Sequence, residues 1–231
     1  MTSLEPRPIK VLSPEERQQR NREEMIGAIL QTAREIMREE GVGSLNLSEI
    51  ARRMGITTPA LYSYFPNKLA IYDALYQLAI QMFLEGDEAA WKSHSNSWDG
   101  IAVWIGTRVS LSLRYPELYL LAFGAPIPGF VPSRSNVDLT QRVYKTIVRA
   151  VTDMVEAGEI DPGVPIPRAV DLLLAVRHGI VAERIGKANV VPVESGRFQN
   201  LGEDALRMIQ AAWEVSPVEA SKGGSPDKKI I

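Results

Sequence analysis

Residues 44–68 read S-L-N-L-S-E-I-A-R-R-M-G-I-T-T-P-A-L-Y-S-Y-F-P-N-K. The stretch predicts two short helices joined by a tight turn. Asn46 is a favourable N-cap, and Glu49, three residues on, supplies the other half of a capping box. The first helix is expected over about Leu47 to Met54. Gly55 ends it, as the residue that takes left-handed backbone most easily. Thr57 caps the second helix, Pro59 falls in its first turn where a missing N–H costs nothing, and Pro66 closes it. Ile50, Ala51 and Met54 share one face of the first helix, and Leu61 and Phe65 stand i, i+4 on the second. The small Ala51 lets the helices cross closely. Thr57, Thr58, Pro59, Ala60, Tyr62, Ser63 and Tyr64 are left facing outward. This is the arrangement a DNA-reading helix-turn-helix needs: hydroxyls for phosphates, small side chains for base edges.

The chain here resembles the tetracycline-repressor (TetR) family of bacterial transcription regulators. The resemblance rests on Ile50-Ala51, Gly55-Ile56-Thr57 and the run Leu61 to Ile71, L-Y-S-Y-F-P-N-K-L-A-I, and is dense over residues 20–75. It implies a DNA-contacting set of Arg22, Ser48, Thr57, Thr58, Pro59, Ala60, Tyr62, Tyr64 and Lys68. In particular, it places the charge of Lys68, or the N–H groups beside it, against a phosphate. Many relatives have Lys-Gly where this chain has Thr58-Pro59, a departure that bears on the operator read and not on the fold. Tyr115-Pro116-Glu117-Leu118-Tyr119 and Arg177-His178-Gly179 resemble a subset with a His-Gly pair in a late helix.

Composition sets the frame. The 231 residues include no cysteine, which excludes disulfides and thiolate metal sites. Hydrophobic residues make up 45% and charged ones 23%, ordinary values for a globular protein. The first thirty residues are polar, and no apolar run approaches a membrane span, so a cytoplasmic location is expected with no membrane partner. Net charge is −2. Residues 1–68 hold 10 Lys/Arg against 9 Asp/Glu, and the remainder 16 against 19, so the basic bias at the N-terminus is slight. DNA binding is therefore argued from the motif and not from bulk charge.

Residues 1–13 and the tail from Ser216 lack periodicity and are expected to be disordered. Ser13-Pro14-Glu15-Glu16 marks a helix start, the polar run after it is helix or arm, and Met25 to Met37 keep helical period until Gly41. Arg17, Arg20 and Arg22 either reach neighbouring phosphates or form a solvated, charge-paired helix start. A long helix runs from Lys68 to about Trp91. Others are expected from Ser97 or Asp99 to Tyr115, over 117–123, from Val137 to Ala157, from Pro167 to Lys187, and from about Asn200 to Glu214. Proline- and glycine-rich loops cover 124–135 and 158–165. The fold class is all-α with about nine helices. The domains expected are a helix-turn-helix unit over 14–68 and a C-terminal ligand-binding and dimerisation unit over 69–215.

An enzyme is not expected. His94 and His178 are the only histidines, and no nucleophile elbow or phosphate loop is present. No cofactor or metal site is expected. Trp104, Tyr119, Phe123 and His178 are candidate ligand-binding residues. By composition they read as an aromatic core, and the resemblance is what favours an effector pocket. Val170 to Val176 is apolar on nearly all sides, which calls for burial on two faces. Leu174, Leu206, Ile209 and Trp213 are therefore candidate dimer-interface residues, in a four-helix bundle shared by two chains. The function expected is that of a homodimeric repressor on double-stranded, palindromic operator DNA, released by a small, largely apolar effector. The alternatives are a ligand-independent DNA-binding protein with a filled C-terminal core, and a pocket-bearing protein that acts through a protein partner.

Overall fold

The computed structural model describes residues 13–94, 97–124, 127–187 and 201–214. They form α1 (Pro14–Glu40), a 3₁₀ turn (Val42–Ser44), α2 (Leu47–Met54), α3 (Thr58–Tyr62), α4 (Lys68–Ser93), α5 (Trp98–Arg114), α6 (Pro116–Phe123), α7 (Arg134–Glu156), α8 (Ile166–Lys187) and α9 (Leu201–Trp213). The class is all-α, as expected, with no strand among the described residues. The segments expected to be disordered lie outside the described residues, apart from Ser13.

Two compact units result. The first comprises the described residues up to Leu75 together with segment 127–130; the second comprises the rest. In the first unit, α1 packs on α2 and on the 3₁₀ turn, and α2 packs on α3. Ile29, Ala33, Ile36, Ile50, Leu61 and Ile71 are fully buried there, while Met54 is only partly so. The Tyr72 hydroxyl donates to the Val42 carbonyl at 2.7 Å, tying the start of α4 to the 3₁₀ turn. In the second unit α5 is central and packs on α6, α8 and α9, and α7 packs on α8. The helix α4 is continuous, and its residues up to Leu75 belong to the first unit.

Several boundaries differ from the sequence reading, each for a local reason. The polar run after Ser13 is helical because Ser13 and Glu16 close a reciprocal capping box. At α2 the box does not form. The Asn46 side chain accepts from the Ser48 amide, and Glu49 turns away to Arg52 and Arg53. Two guanidiniums outcompete one backbone N–H for that carboxylate, and they hold its pKa down at about 2. The helix α3 ends at Tyr62, before Pro66, because Ser63 already accepts the role of C-cap with its amide bonded to the Ala60 and Leu61 carbonyls. The helix α7 begins at Arg134, three residues before the expected start, following Ser133 in extended backbone.

Gly55 has φ +68° and its amide bonds back to α2, so the turn depends on left-handed backbone. A Cβ there meets no neighbour, and the strain of a substitution is purely conformational. Gly55→Val is expected to destabilise the first unit by about 1–2 kcal/mol, read as a lower urea midpoint, with the denaturant slope unchanged.

Candidate nucleic-acid interface and buried charge cluster

The face of α3 is built by its two ends. The Thr57 side chain accepts from the Ala60 amide at 3.3 Å, fixing the first turn, and Pro59 stands within that turn. Leu61 and Phe65 are buried beneath it. Thr57, Pro59, Ala60 and Ser63 are exposed, and Tyr62 is 51% exposed. An aromatic ring half in water on a five-residue helix is unfavourable as surface and useful as a contact. Tyr64 is only partly exposed. The Arg22 guanidinium lies 5.2 Å from its ring and donates to the Ser63 carbonyl at 3.4 Å. Arg22 thus braces the end of α3 from α1, which places one expected DNA contact in a positioning role as well. Ser48 and Lys68 are both at the starts of their helices, on α2 and α4, with Lys68 exposed. Asn67 caps α4 by accepting from the Ala70 amide at 3.0 Å.

The second unit holds a charge cluster that the sequence reading missed. Asp87 on α4, Arg108 on α5 and Arg177 on α8 are 2%, 0% and 1% exposed. Arg108 Nη2 donates to Asp87 Oδ2 at 2.5 Å, and Arg177 Nη1 reaches both Asp87 oxygens at 3.4 Å. Aromatic rings sheathe the guanidiniums. Arg177 stacks 3.8 Å from the Trp104 ring centre, and Arg108 lies 4.3 Å from Phe83 and 5.2 Å from Phe123. Burial lowers the pKa of both arginines; that of Arg177 falls to about 9, with Arg108 adding repulsion and Asp87 opposing it. Arg177 stays charged at neutral pH.

Three of the candidate ligand residues come together beside this cluster. His178 sits 5.3 Å from Phe123 and 6.3 Å from Tyr119, ring centre to ring centre. Trp104 is fully buried on the far side of Arg177, against Trp91. Desolvation, then Arg177 and Arg108, depress His178 to about 4, so the imidazole is neutral at physiological pH. Gly179, next to it, is exposed, and a Cβ there would meet nothing within 4 Å among the described residues. A separate cleft of about 300 Å³ opens between α5, α8 and α9, lined by Ile105, Gly106, Val109, Ile180, Arg184 and Leu206.

Of the candidate interface residues, Leu206 and Ile209 are buried on the inner face of α9 and Trp213 packs on Trp98 at 6.4 Å. Leu174 is partly exposed. The apolar residues that α8 and α9 leave outward are Leu172, 42% exposed, and Met208, 74% exposed.

Comparison with known proteins agrees with this architecture. Residues 29–75 match the model for "Bacterial regulatory proteins, tetR family". An HTH-type transcriptional regulator of Mycobacterium bovis is 27% identical over 143 residues, 59% of this chain. The chain spans 58% of that relative's length. The fatty acid metabolism regulator protein of Bacillus subtilis is 26% identical over 145 residues, covering 60% of this chain and 72% of the relative. The solved transcriptional regulator FadR of Bacillus subtilis, in complex with stearoyl-CoA, superposes with a TM-score of 0.66 at 18% identity, over 80% of this chain and 97% of that one. The class is thus a helix-turn-helix unit followed by a helical C-terminal body. Its residues 29–75 are similar to the N-terminal segment of TetR-family regulators.

Among the described residues no helix is long and apolar enough to cross a membrane, and no group of three or more His, Asp or Glu side chains gathers at metal-binding distance.

Two predictions arise from the cluster. Asp87→Ala leaves two buried cations unneutralised and is expected to cost about 3–5 kcal/mol, measured by urea denaturation. The depressed His178 makes the unfolded chain the better proton acceptor, so stability falls as pH drops from about 6.5 towards about 4. His178→Leu is expected to flatten that part of the wild-type stability profile; an unchanged profile would assign the loss to other groups.

Proposed function

We propose that the protein is a homodimeric transcriptional repressor that binds a palindromic operator and is released by a small effector with a largely apolar body. Residues 14–68 serve as the DNA-binding domain and 69–215 as the effector-binding and dimerisation domain. The observation that carries this reading is the outward face of α3, where Thr57, Pro59, Ala60 and Tyr62 stand exposed above a buried Leu61. The matched relatives support it, as transcriptional regulators by name.

In this reading Tyr62, Tyr64, Ser48 and Lys68 hold phosphates, with Arg22 positioning the end of α3. Thr58, Pro59 and Ala60 approach base edges and thymine methyl groups. Dimerisation covers the outer faces of α8 and α9, including Leu172, Leu174 and Met208. The effector acts by population shift. It favours a spacing of the paired recognition helices that misses successive major grooves, ~34 Å apart for half-sites one turn apart. A second reading, a filled C-terminal core with no effector, draws on the close ring contacts around His178.

Footprinting on DNA flanking the protein's own gene tests the operator claim. A symmetric protected site supports it, and no protection above nonspecific binding overturns it. Ala60→Glu is expected to abolish protection with helix content unchanged by circular dichroism; retained affinity would remove α3 from the groove. Met208→Arg is expected to give monomers by sedimentation, whereas a dimer that tolerates the charge would locate the interface elsewhere.

A further inference from the structure

Along one face of α5, Trp104, Arg108 and Ser112 follow each other at i, i+4 and i+8, all buried. Each carries a polar atom without a hydrogen-bond partner among the described residues: Nε1 of Trp104, Nε and Nη1 of Arg108, and Oγ of Ser112. Nε of Arg177 adds a fifth from α8. Four of these are obligatory N–H donors, and the hydroxyl can also donate. Such groups are costly to leave unmade away from water. The set is therefore rich in donors and short of acceptors.

The charges point the same way. Arg108 and Arg177 both bond the one carboxylate of Asp87. Two guanidiniums thus face one carboxylate, and a neutral His178 adds no further charge. Buried charge of one sign calls for its opposite. A carboxylate matches the planar fork of a guanidinium with two parallel acceptors, which a hydroxyl or a thioether does not. The surrounding surface is aromatic, from Phe83, Tyr119 and Phe123, as a site for an apolar body requires. Phe123 and His178 are half-buried, while Tyr119 and both arginines are buried.

We infer that Arg108 and Arg177 seat the carboxylate of an amphipathic organic acid, whose apolar body lies against Phe83, Tyr119 and Phe123. This rests on the effector-released reading above and adds the class of effector and the groups that recognise it. It also explains why a single acid, Asp87, stands between two buried arginines: the second negative charge arrives with the effector.

The full-length wild-type protein is titrated calorimetrically at neutral pH with decanoate and with 1-naphthoate. Each is set beside its neutral counterpart, decanol or 1-naphthalenemethanol, so aliphatic and aromatic bodies are separated. At least one acid is expected to bind ~10-fold or more tighter than its alcohol, the worth of one charge-assisted hydrogen-bond pair, and to raise the melting temperature. Arg177→Lys keeps the charge but loses the fork, and is expected to weaken the acid ~10-fold with the alcohol unchanged. Ser112→Ala removes one buried polar atom, is expected to fold as well as the wild type, and weakens the acid several-fold. Equal binding of acid and alcohol overturns the inference. So does the absence of acid binding at millimolar concentration, which defines a closed structural ion-pair core. Acid preference that survives in folded Arg177→Lys and Ser112→Ala proteins places the seat elsewhere and also overturns it. If Arg177→Lys does not fold, the wild-type head-group comparison and Ser112→Ala decide. The same compounds are added to the protein–DNA complex in a gel shift. An acid that binds but leaves the DNA bound supports the seat and overturns release by effector. Release by the neutral compounds without acid preference supports release and overturns the seat.

Discussion

The carboxylate of Asp87 is the point on which the second unit depends. It sits on α4 and is gripped by one guanidinium from α5 and another from α8. An ion pair at this depth adds little net stability, because both partners give up hydration to form it. What it does is penalise every alternative. A slip of any of the three helices strands a charge in a region of aromatic rings, and that penalty is steep and directional in a way that apolar contact is not. The stacking of Arg177 on Trp104 and of Arg108 on Phe83 follows from the same constraint, since ring faces are the one apolar surface that receives a cation favourably.

The first unit is held differently, by local chemistry that is close in sequence. Ser13 with Glu16, Asn46 with Ser48 and Thr57 with Ala60 each fix one helix start. Gly55 fixes the turn between α2 and α3. Glu49 shows how such local rules can be overridden. Its expected backbone partner was displaced by Arg52 and by Arg53, which also reaches Glu39 and Glu40 on α1. The result joins α2 to α1 through an exposed ionic net of small energetic worth.

This contrast explains what could be read in the chain beforehand. The helix-turn-helix was legible because its determinants lie within four residues of one another, and α2 spans the expected Leu47 to Met54. The buried cluster was not, because Arg108 and Arg177 stand 21 and 90 residues from the acid they bind. Nothing in the spacing of Asp87 marks it as their partner. One signal was available: Trp104, Arg108 and Ser112 recur at four-residue intervals on the same face as Ile101 and Ile105, which puts polar atoms where an inward face should be dry. The all-round apolarity of α8 and the apolar face of α9 do not by themselves say which side turns inward: Leu206 and Ile209 are buried within the chain, whereas Leu172 and Met208 are exposed.

Trp104 has a property that its role in packing does not require. Its indole lies 3.8 Å from a full positive charge and 5.8 Å from the ring of Trp91. The excited state of indole moves electron density across the ring system, so its emission energy is set by the electric field it sits in. A guanidinium at that distance is the dominant local source of such a field, and any change in how Arg177 is neutralised alters it. The protein therefore carries an intrinsic optical voltmeter at its electrostatic centre, coupled to a second indole that can share its excitation. With Trp91, Trp98 and Trp213 replaced by phenylalanine, the charge state of the buried cluster is readable in the colour of the one remaining indole.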